Sequence, residues 1–293
     1  MPPFDDYRGR IAPSPTGYLH LGHARTFLIT AEGARQSGGK LILRNEDLDP
    51  DRCRTEFVSA MYEDLRWLGI SWSEGPDCGG AYAPYSQSQR REFYLAAWKK
   101  LRDTGAIYPC TCSRKDLAAS ASAPNNMDDE PIYPGNCRTR NDGRAFEKPA
   151  GVNWRFRVPD DEEITFDDQH FGRQRYVAGR DFGDFVVWRR DDVPAYQFAV
   201  VVDDDAMKIS EVVRGADLLK STVRQLLVYR ALGLQAPKFY HCDLVRDERG
   251  ERLAKRHDAL SIRKLRESGG SAVQIKARAL SSVSSSSVSS SSV

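Results

Sequence analysis

The sequence predicts an α/β fold, a doubly wound parallel sheet with an insertion between its two halves. Three observations predict it. Short apolar runs alternate with stretches of 3.6-residue periodicity through the first hundred or so positions. A loop rich in proline and glycine joins the first apolar run to the first helical pattern. The same order of strand and then helix returns between Lys208 and Gly233.

At 293 residues the chain can bury a full core and hold one large or two moderate domains. Its 43 basic and 41 acidic residues leave a net charge of +2, which argues neither for nor against a nucleic-acid partner. No apolar run approaches the ~20 residues of a membrane span. The segment Met1 to Gly9 lacks a basic stretch followed by an apolar one, as a secretory signal would have. A cytoplasmic protein without a membrane partner is the expectation, and a monomer. Six cysteines are too dispersed for a disulfide framework in a chain of this length.

In order, the first element is the stretch Arg10 to His23. It packs Pro13, Pro15 and Gly17 into a loop ahead of a helix marked by Ala24, Phe27, Leu28, Ala31, Ala34 and Arg35 and stopped at Gly38-Gly39. The N–H groups that open such a helix lack intrahelical partners, and its dipole favours anions, so the loop is a place to bind phosphate. His20 and His23 can add side-chain donors there. Lys40 to Leu43 is a short strand leading into Arg44-Asn45-Glu46-Asp47, a polar strand end of the kind that carries ligand contacts in open α/β sheets. Glu46 suits a substrate ammonium. Phe57, Met61, Leu65 and Leu68 mark a helix closed by Gly69, with Asp49 as its potential cap. A further helix is predicted from Ser86 to Asp103.

From Tyr108 to Pro149 the character changes. Cys110, Cys112 and Cys137 cluster, and three thiolates can ligate zinc. Chemistry alone leaves the fourth ligand open among Tyr133, Asp128, Asp129 and water. Strands are predicted at Asn153–Val158, Glu163–Asp167 and Phe182–Arg189. Asp203-Asp204-Asp205 reads as an exposed loop, with a metal site as the less common alternative. Lys208 to Arg214 is a strand whose last residue can hold a carboxylate bidentately. Leu218 to Arg230 is a helix stopped at Gly233. Arg246 to Leu260 is a charged loop. Beyond Ser268 the pattern fades, and the serine-rich end from Ser281 is expected to be disordered. The expected organisation is therefore residues 1–107 and 181–267 as the two halves of the sheet, 108–180 as an insertion that carries the zinc candidates, and 268–293 as a tail.

The string Arg10-Ile11-Ala12-Pro13-Ser14-Pro15-Thr16-Gly17-Tyr18-Leu19-His20-Leu21-Gly22-His23 resembles the first nucleotide-binding motif of class I aminoacyl-tRNA synthetases, in the version carried by glutamyl- and glutaminyl-tRNA synthetases. Leu43–Pro50, the stretch from Ala195 to Asp204, Val213–Leu219 and Arg252-Leu253-Ala254-Lys255-Arg256 are similar to further motifs of that family, in the same order. The resemblance runs over roughly residues 7 to 265. Two departures stand out. Asn45 replaces a usually aliphatic residue, and Ala254 replaces the serine that commonly precedes the lysine.

The resemblance implies a Rossmann-like nucleotidyl-transfer sheet and ATP-dependent activation of L-glutamate, with Mg2+ accompanying ATP. It implies that His20, Gly22, His23 and Lys255 contact ATP. It also implies that Arg10, Ala12, Ser14, Glu46, Tyr196 and Arg214 bind glutamate. Arg10 and Tyr196 on the side-chain carboxylate, with Arg214 on the α-carboxylate, is the working assignment. The chain's length resembles that of the truncated paralogues that glutamylate the queuosine base of tRNA(Asp). In that group a structural zinc, one per chain, is bound by C-x-C and Y-x-x-x-C, which Cys110, Cys112, Tyr133 and Cys137 match. The alternatives are a truncated glutamyl-tRNA synthetase charging a tRNA 3′ end, an inactive tRNA- or zinc-binding module, and an adenylyltransferase sharing only the first motif.

Overall fold

The computed structural model describes residues 6–113, 132–139, 143–245 and 261–281. Strand β1 (Arg8–Ile11) runs into the loop Ala12–Leu19 and helix α1 (Leu21–Gln36). Gly38, at φ +61°, adopts the left-handed turn that ends the helix and returns the chain to β2 (Lys40–Leu43). Next come α2 (Thr55–Trp67), α3 (Arg91–Asp103), β3 (Ile107–Cys110), β4 (Asn153–Phe156), β5 (Glu163–Asp168), β6 (Gly172–Val177) and β7 (Val186–Trp188). The remainder is α4 (Tyr196–Ala206), β8 (Glu211–Gly215), α5 (Leu219–Leu232), β9 (Lys238–Cys242), α6 (Ile262–Glu267) and α7 (Ala272–Leu280).

Six strands form one sheet in the order β2-β1-β8-β9-β5-β6, parallel throughout except for the final β5–β6 hairpin. Alternation along β2 shows the double winding. Leu41 and Leu43 pack with Leu21, Phe27, Met61 and Leu65 of α1 and α2, and with Ile262 and Ile275 of α6 and α7. Ile42 points the other way, into a core with Trp98 of α3, Val201 of α4 and Leu227 of α5. A residue-by-residue switch of faces is what the pleat dictates, so a sheet whose faces are both apolar must be covered on both. Strands β3, β4 and β7 make a separate antiparallel sheet. The interval 108–180 thus contributes to both sheets: the β5–β6 hairpin extends the large one, while β4 and most of β3 belong to the small one, which β7 completes from beyond the interval.

Several expectations need correction. Asp203-Asp204-Asp205 is no exposed loop, because it lies within α4, and Asp203 and Asp204 are buried. Residues beyond Ser268 do not lose structure at once. Ser271 caps α7 by accepting from the Gln274 N–H, while Ile275 and Ala279, four apart, bury one face. Two apolar anchors are too few to stand out in the sequence. Asp49 does not cap α2; it pairs with Arg52, and Arg54 occupies the cap position. The helix expected from Ser86 begins at Arg91, after a short 3-10 turn at Gln87–Gln89. The strand expected over 182–189 narrows to Val186–Trp188. Residues 282–293, where the serine tail was expected to be disordered, lie outside the described residues.

Asp64 of α2 is buried near Arg266 of α6, with an N···O separation of 3.3 Å. Burial raises its carboxyl to about 6, against the pull of Arg266. A carboxyl raised on folding favours the native state while protonated, and loses that contribution as pH rises through its native pKa. Asp64→Asn should therefore raise the melting temperature relative to the parent at about pH 7.5 and by much less at about pH 4, near the unfolded carboxyl's own pKa. Thermal melts at the two pH values check this.

Candidate active site

At the C-terminal ends of β1, β2 and β8 lies a cleft of about 600 Å³, lined among others by Arg10, Ser14, His20, His23, Glu46 and Arg214. Ala12, Gly22 and Tyr196 line it too. Ligand sites in open parallel sheets fall at this edge because the strand ends diverge there and helix N-termini face the gap. Two backbone hydrogen bonds fasten the loops together: Glu46 N–H donates to Pro13 O (3.1 Å) and Arg44 N–H to Ile11 O (2.9 Å). A third, from Arg54 N–H to Pro15 O (3.1 Å), ties down the other proline.

The two histidines have a structural task that the sequence reading did not foresee. His20 is the N-cap of α1, and its Nδ1 accepts from Gly22 N–H at 3.1 Å. His23 Nδ1 reciprocally accepts from His20 N–H at 3.2 Å. The rings lie 3.8 Å apart, centroid to centroid. With Nδ1 of each ring an acceptor, the proton of the neutral imidazole sits on Nε2.

Arg10 and Glu46 stand on a buried charge network. Arg44, wholly buried at the end of β2, donates through Nη2 to Glu46 Oε1 (2.9 Å) and through Nη1 to Asp204 Oδ1 (2.5 Å). Asp204 also lies 3.4 Å from Arg10 Nε. Arg10 Nη1 donates to Val213 O (3.2 Å). Beside it Asp203 accepts from Arg90 Nε (2.6 Å), Gln87 Nε2 (2.7 Å) and Tyr94 OH. Burial raises the Glu46 carboxyl even though Arg44 and Arg10 pull it down. An ammonium arriving at Glu46 would relieve that penalty.

Arg214 stands on the neighbouring strand β8, next to the Val213 carbonyl that Arg10 holds. Its Nε donates to His241 Nε2 (3.1 Å), Nη1 to Gln225 Oε1 (2.8 Å) and Nη2 to Thr222 Oγ1 (2.7 Å). Burial lowers its basicity, and the nearby Arg10 adds to the effect although Tyr196 opposes it. The cleft thus offers two buried guanidiniums and one buried carboxylate, with the exposed Asp217 and Asp243 at its margin. The buried set is the inverse of an amino acid with two carboxylates and one ammonium.

Lys255 lies outside the described residues, as do Asp128 and Asp129. Val245 lines the cleft on one side of the Lys255 segment, and Ser261 on the other pairs with His20. The Ile262 N–H donates to Leu19 O at 2.8 Å. The sequence reading missed Arg44, Asp204 and His241. Arg44 alone carried a signal, as a charge at the end of an apolar strand. A second cleft of about 840 Å³ was also missed; it shares Tyr196 and is lined by Asn153, Arg189, Arg190 and Arg224.

The cysteine cluster sits at the end of β3, and none of its residues lines either cleft. The sulfurs of Cys110, Cys112 and Cys137 lie within 4.8 Å of one another. Tyr133 OH is 3.4 Å from both Cys110 Sγ and Cys112 Sγ, and Cys112 Sγ is 3.5 Å from Cys137 Sγ. A zinc tetrahedron has S···S and S···O edges of about 3.8 and 3.5 Å. The donor set therefore fits zinc in number, type and spacing. Burial pushes the Cys137 thiol up, but hydrogen bonds from Tyr133 and the Thr111 backbone outweigh it and bring it down to about 7.

Residues 6–277 match the catalytic-domain model of the class I tRNA synthetases for Glu and Gln. The chain is 49% identical over 271 residues to the glutamyl-Q tRNA(Asp) synthetase of Nitratidesulfovibrio vulgaris, covering 92% of this chain and 83% of that one. It is 50% identical over 267 residues to the protein of the same name from Symbiobacterium thermophilum, covering 90% and 82%. The glutamate-tRNA ligase 2 of Acidithiobacillus ferrooxidans is 44% identical over 89% of this chain but only 55% of its own length. Among solved structures, the glutamate-tRNA synthetase of Elizabethkingia anophelis superposes with a TM-score of 0.75 at 32% identity, over 86% of this chain. This chain spans about half the length of that synthetase, 53%.

The metal assignment has a direct check. Purified protein should carry about one zinc per chain. Cys110→Ser should lose most of it by elemental analysis, while the first-order rate of glutamate activation stays near wild type. Full zinc retention would remove Cys110 from the ligand set.

Proposed function

The chain belongs to the class I glutamyl- and glutaminyl-tRNA synthetase family, and on that premise we propose that it activates L-glutamate with ATP and transfers it to the queuosine base of tRNA(Asp). The observation that carries the first half is the cleft in which Arg10, Glu46 and Arg214 converge beside the N-terminus of α1. Two relatives named glutamyl-Q tRNA(Asp) synthetase, matched over more than four-fifths of their length, support the second half.

In the first step a glutamate α-carboxylate oxygen attacks the α-phosphorus of ATP in line, forming glutamyl-adenylate and releasing pyrophosphate. The protein has to bring two anions together and spread the charge of the pentavalent centre, so positioning and preorganised donors dominate. Arg10 and Arg214 neutralise the two carboxylates, with Tyr196 as a hydrogen-bonding partner. Glu46, Ser14 and the Ala12 carbonyl take the ammonium. His20, Gly22 and His23 receive ATP phosphates, accompanied by Mg2+ held largely by phosphate and water. Lys255 completes the phosphate site. In the second step a hydroxyl of the acceptor base attacks the activated carbonyl and AMP leaves. The arginine-lined cleft on the other side of Tyr196 suits an approaching polynucleotide.

Zinc is structural in this reading. Cys110, Cys112, Tyr133 and Cys137 would hold it with no position open for water, and it supplies cross-linking to the small sheet. Arg155 supports the set, donating from Nε to Cys110 Sγ at 3.4 Å with its guanidinium 3.9 Å from the Tyr133 ring centroid.

Glutamate-dependent exchange of pyrophosphate into ATP should proceed without tRNA. Labelled glutamate should then pass to periodate-treated tRNA(Asp) bearing queuosine, and to neither queuosine-free tRNA(Asp) nor tRNA(Glu). Charging confined to an intact tRNA(Glu) 3′ end would select the truncated synthetase instead. Lys255→Ala should slow adenylate formation by about 100-fold or more, with little change in glutamate affinity. Single-turnover kinetics beside calorimetric titration separates the two effects.

A further inference from the structure

Arg214, His241 and Asp168 stand on three adjacent strands. Arg214 of β8 is in register with His241 of β9, and Asp168 of β5 pairs next to His241 through Phe239. All three are buried. Asp168 Oδ2 accepts from the His241 backbone N–H (3.1 Å) and lies 2.6 Å from its Nδ1. The same carboxylate holds the turn that follows it, accepting from His170 N–H (3.1 Å) and Phe171 N–H (2.9 Å) through Oδ1. His241 therefore carries its neutral proton on Nδ1 and presents the Nε2 lone pair to Arg214 Nε–H, 3.1 Å away. Burial first, and then Arg214, pull the imidazole down to about 4, so it is uncharged near neutrality.

This arrangement solves a conflict in the cleft. A guanidinium that must receive a substrate carboxylate needs fixed orientation, and a buried carboxylate would fix it most firmly. Direct pairing would also satisfy its charge and compete with the substrate. Here the carboxylate is one imidazole removed. The neutral ring takes one N–H of Arg214, Gln225 and Thr222 take one each from the other two nitrogens, and each Nη retains a second hydrogen.

Resting on the glutamate-activating reading, we infer that His241, locked by Asp168, is a positioning residue that orients Arg214 for a glutamate carboxylate while leaving its charge for the substrate. Neither residue lines the cleft. His241 Nε2 also lies 3.1 Å from Thr222 Oγ1, itself a partner of Arg214, so the contact reinforces the same guanidinium.

The test compares two amide substitutions of similar polarity in the full chain, with pyrophosphate exchange read against glutamate and against ATP. His241→Gln can reach Arg214 with its amide oxygen, whereas His241→Asn is one methylene shorter and reaches only toward Asp168. His241→Asn should raise KM for glutamate by about 10- to 100-fold, with KM for ATP changed less than about twofold. His241→Gln should recover most of that loss. Equal glutamate KM values for the two variants, or a matching rise for ATP, would overturn the assignment. A measurement on the wild-type protein is independent of variant folding: the ¹⁵N shifts of His241 should report a protonated Nδ1 and bare Nε2 near neutral pH, and the opposite tautomer would overturn it too. Absence of glutamate-dependent exchange in the wild type would fall on the functional reading. Intact exchange with the wrong tautomer would fall on this inference alone.

Discussion

Asp203 and Asp204 leave water in the middle of a helix, and the site is built around what they bring with them. Arg44 and Arg90 are wholly buried, and neither could be so without a carboxylate at hydrogen-bonding distance. The two aspartates tie α4 to the end of β2 through Arg44, and to the start of α3 through Arg90 and Gln87. Through Arg44 and Arg10 the same network fixes the orientation of Glu46 and of the cationic wall. Desolvating so many charges is costly, and such networks are a poor source of stability compared with an apolar core. What this one supplies is a single arrangement of groups that a substrate can meet without reorganisation.

The two arginines of the cleft are held by different means. Arg10 leans on a carboxylate, Asp204, that it shares with Arg44. Arg214 leans on a neutral imidazole, an amide and a hydroxyl. Both are buried at the wall of the cleft. In the proposed function this inversion of glutamate's charge pattern would be a basis for selectivity, since an analogue lacking one carboxylate would leave a buried guanidinium unpaired. The histidines are fixed as well, each with Nδ1 committed to the helix end.

The zinc-type cluster is a separate device. Its donors come from the end of β3 and from Tyr133 and Cys137 after the long interval beyond Cys112, so a bound ion would close that loop against the small sheet. None of its residues lines either cleft, although Cys110 is paired with Asn153 at the wall of the second one. The second, arginine-lined cleft meets the first at Tyr196, where the last residues before α4 turn between the two sheets.

The sequence by itself determined the parts whose physics is local. The loop Ala12–Leu19 and the helix after it, the strand Lys40–Leu43, the polar residues that follow that strand, and the stop of α5 at Gly233 (φ +64°) are legible because proline, glycine and 3.6-residue periodicity act over a few positions. Arg10, Glu46 and Arg214 could be named from strand ends and motif order. Only the tertiary structure decided what holds them. Asp204 meets Arg44 across 160 positions, and His241 meets Asp168 across 73. Whether three aspartates form a wet loop or a buried helix depends on partners that no short window contains. The cleft was written in the chain; the charges beneath it became readable only when distant strands brought their counter-charges together.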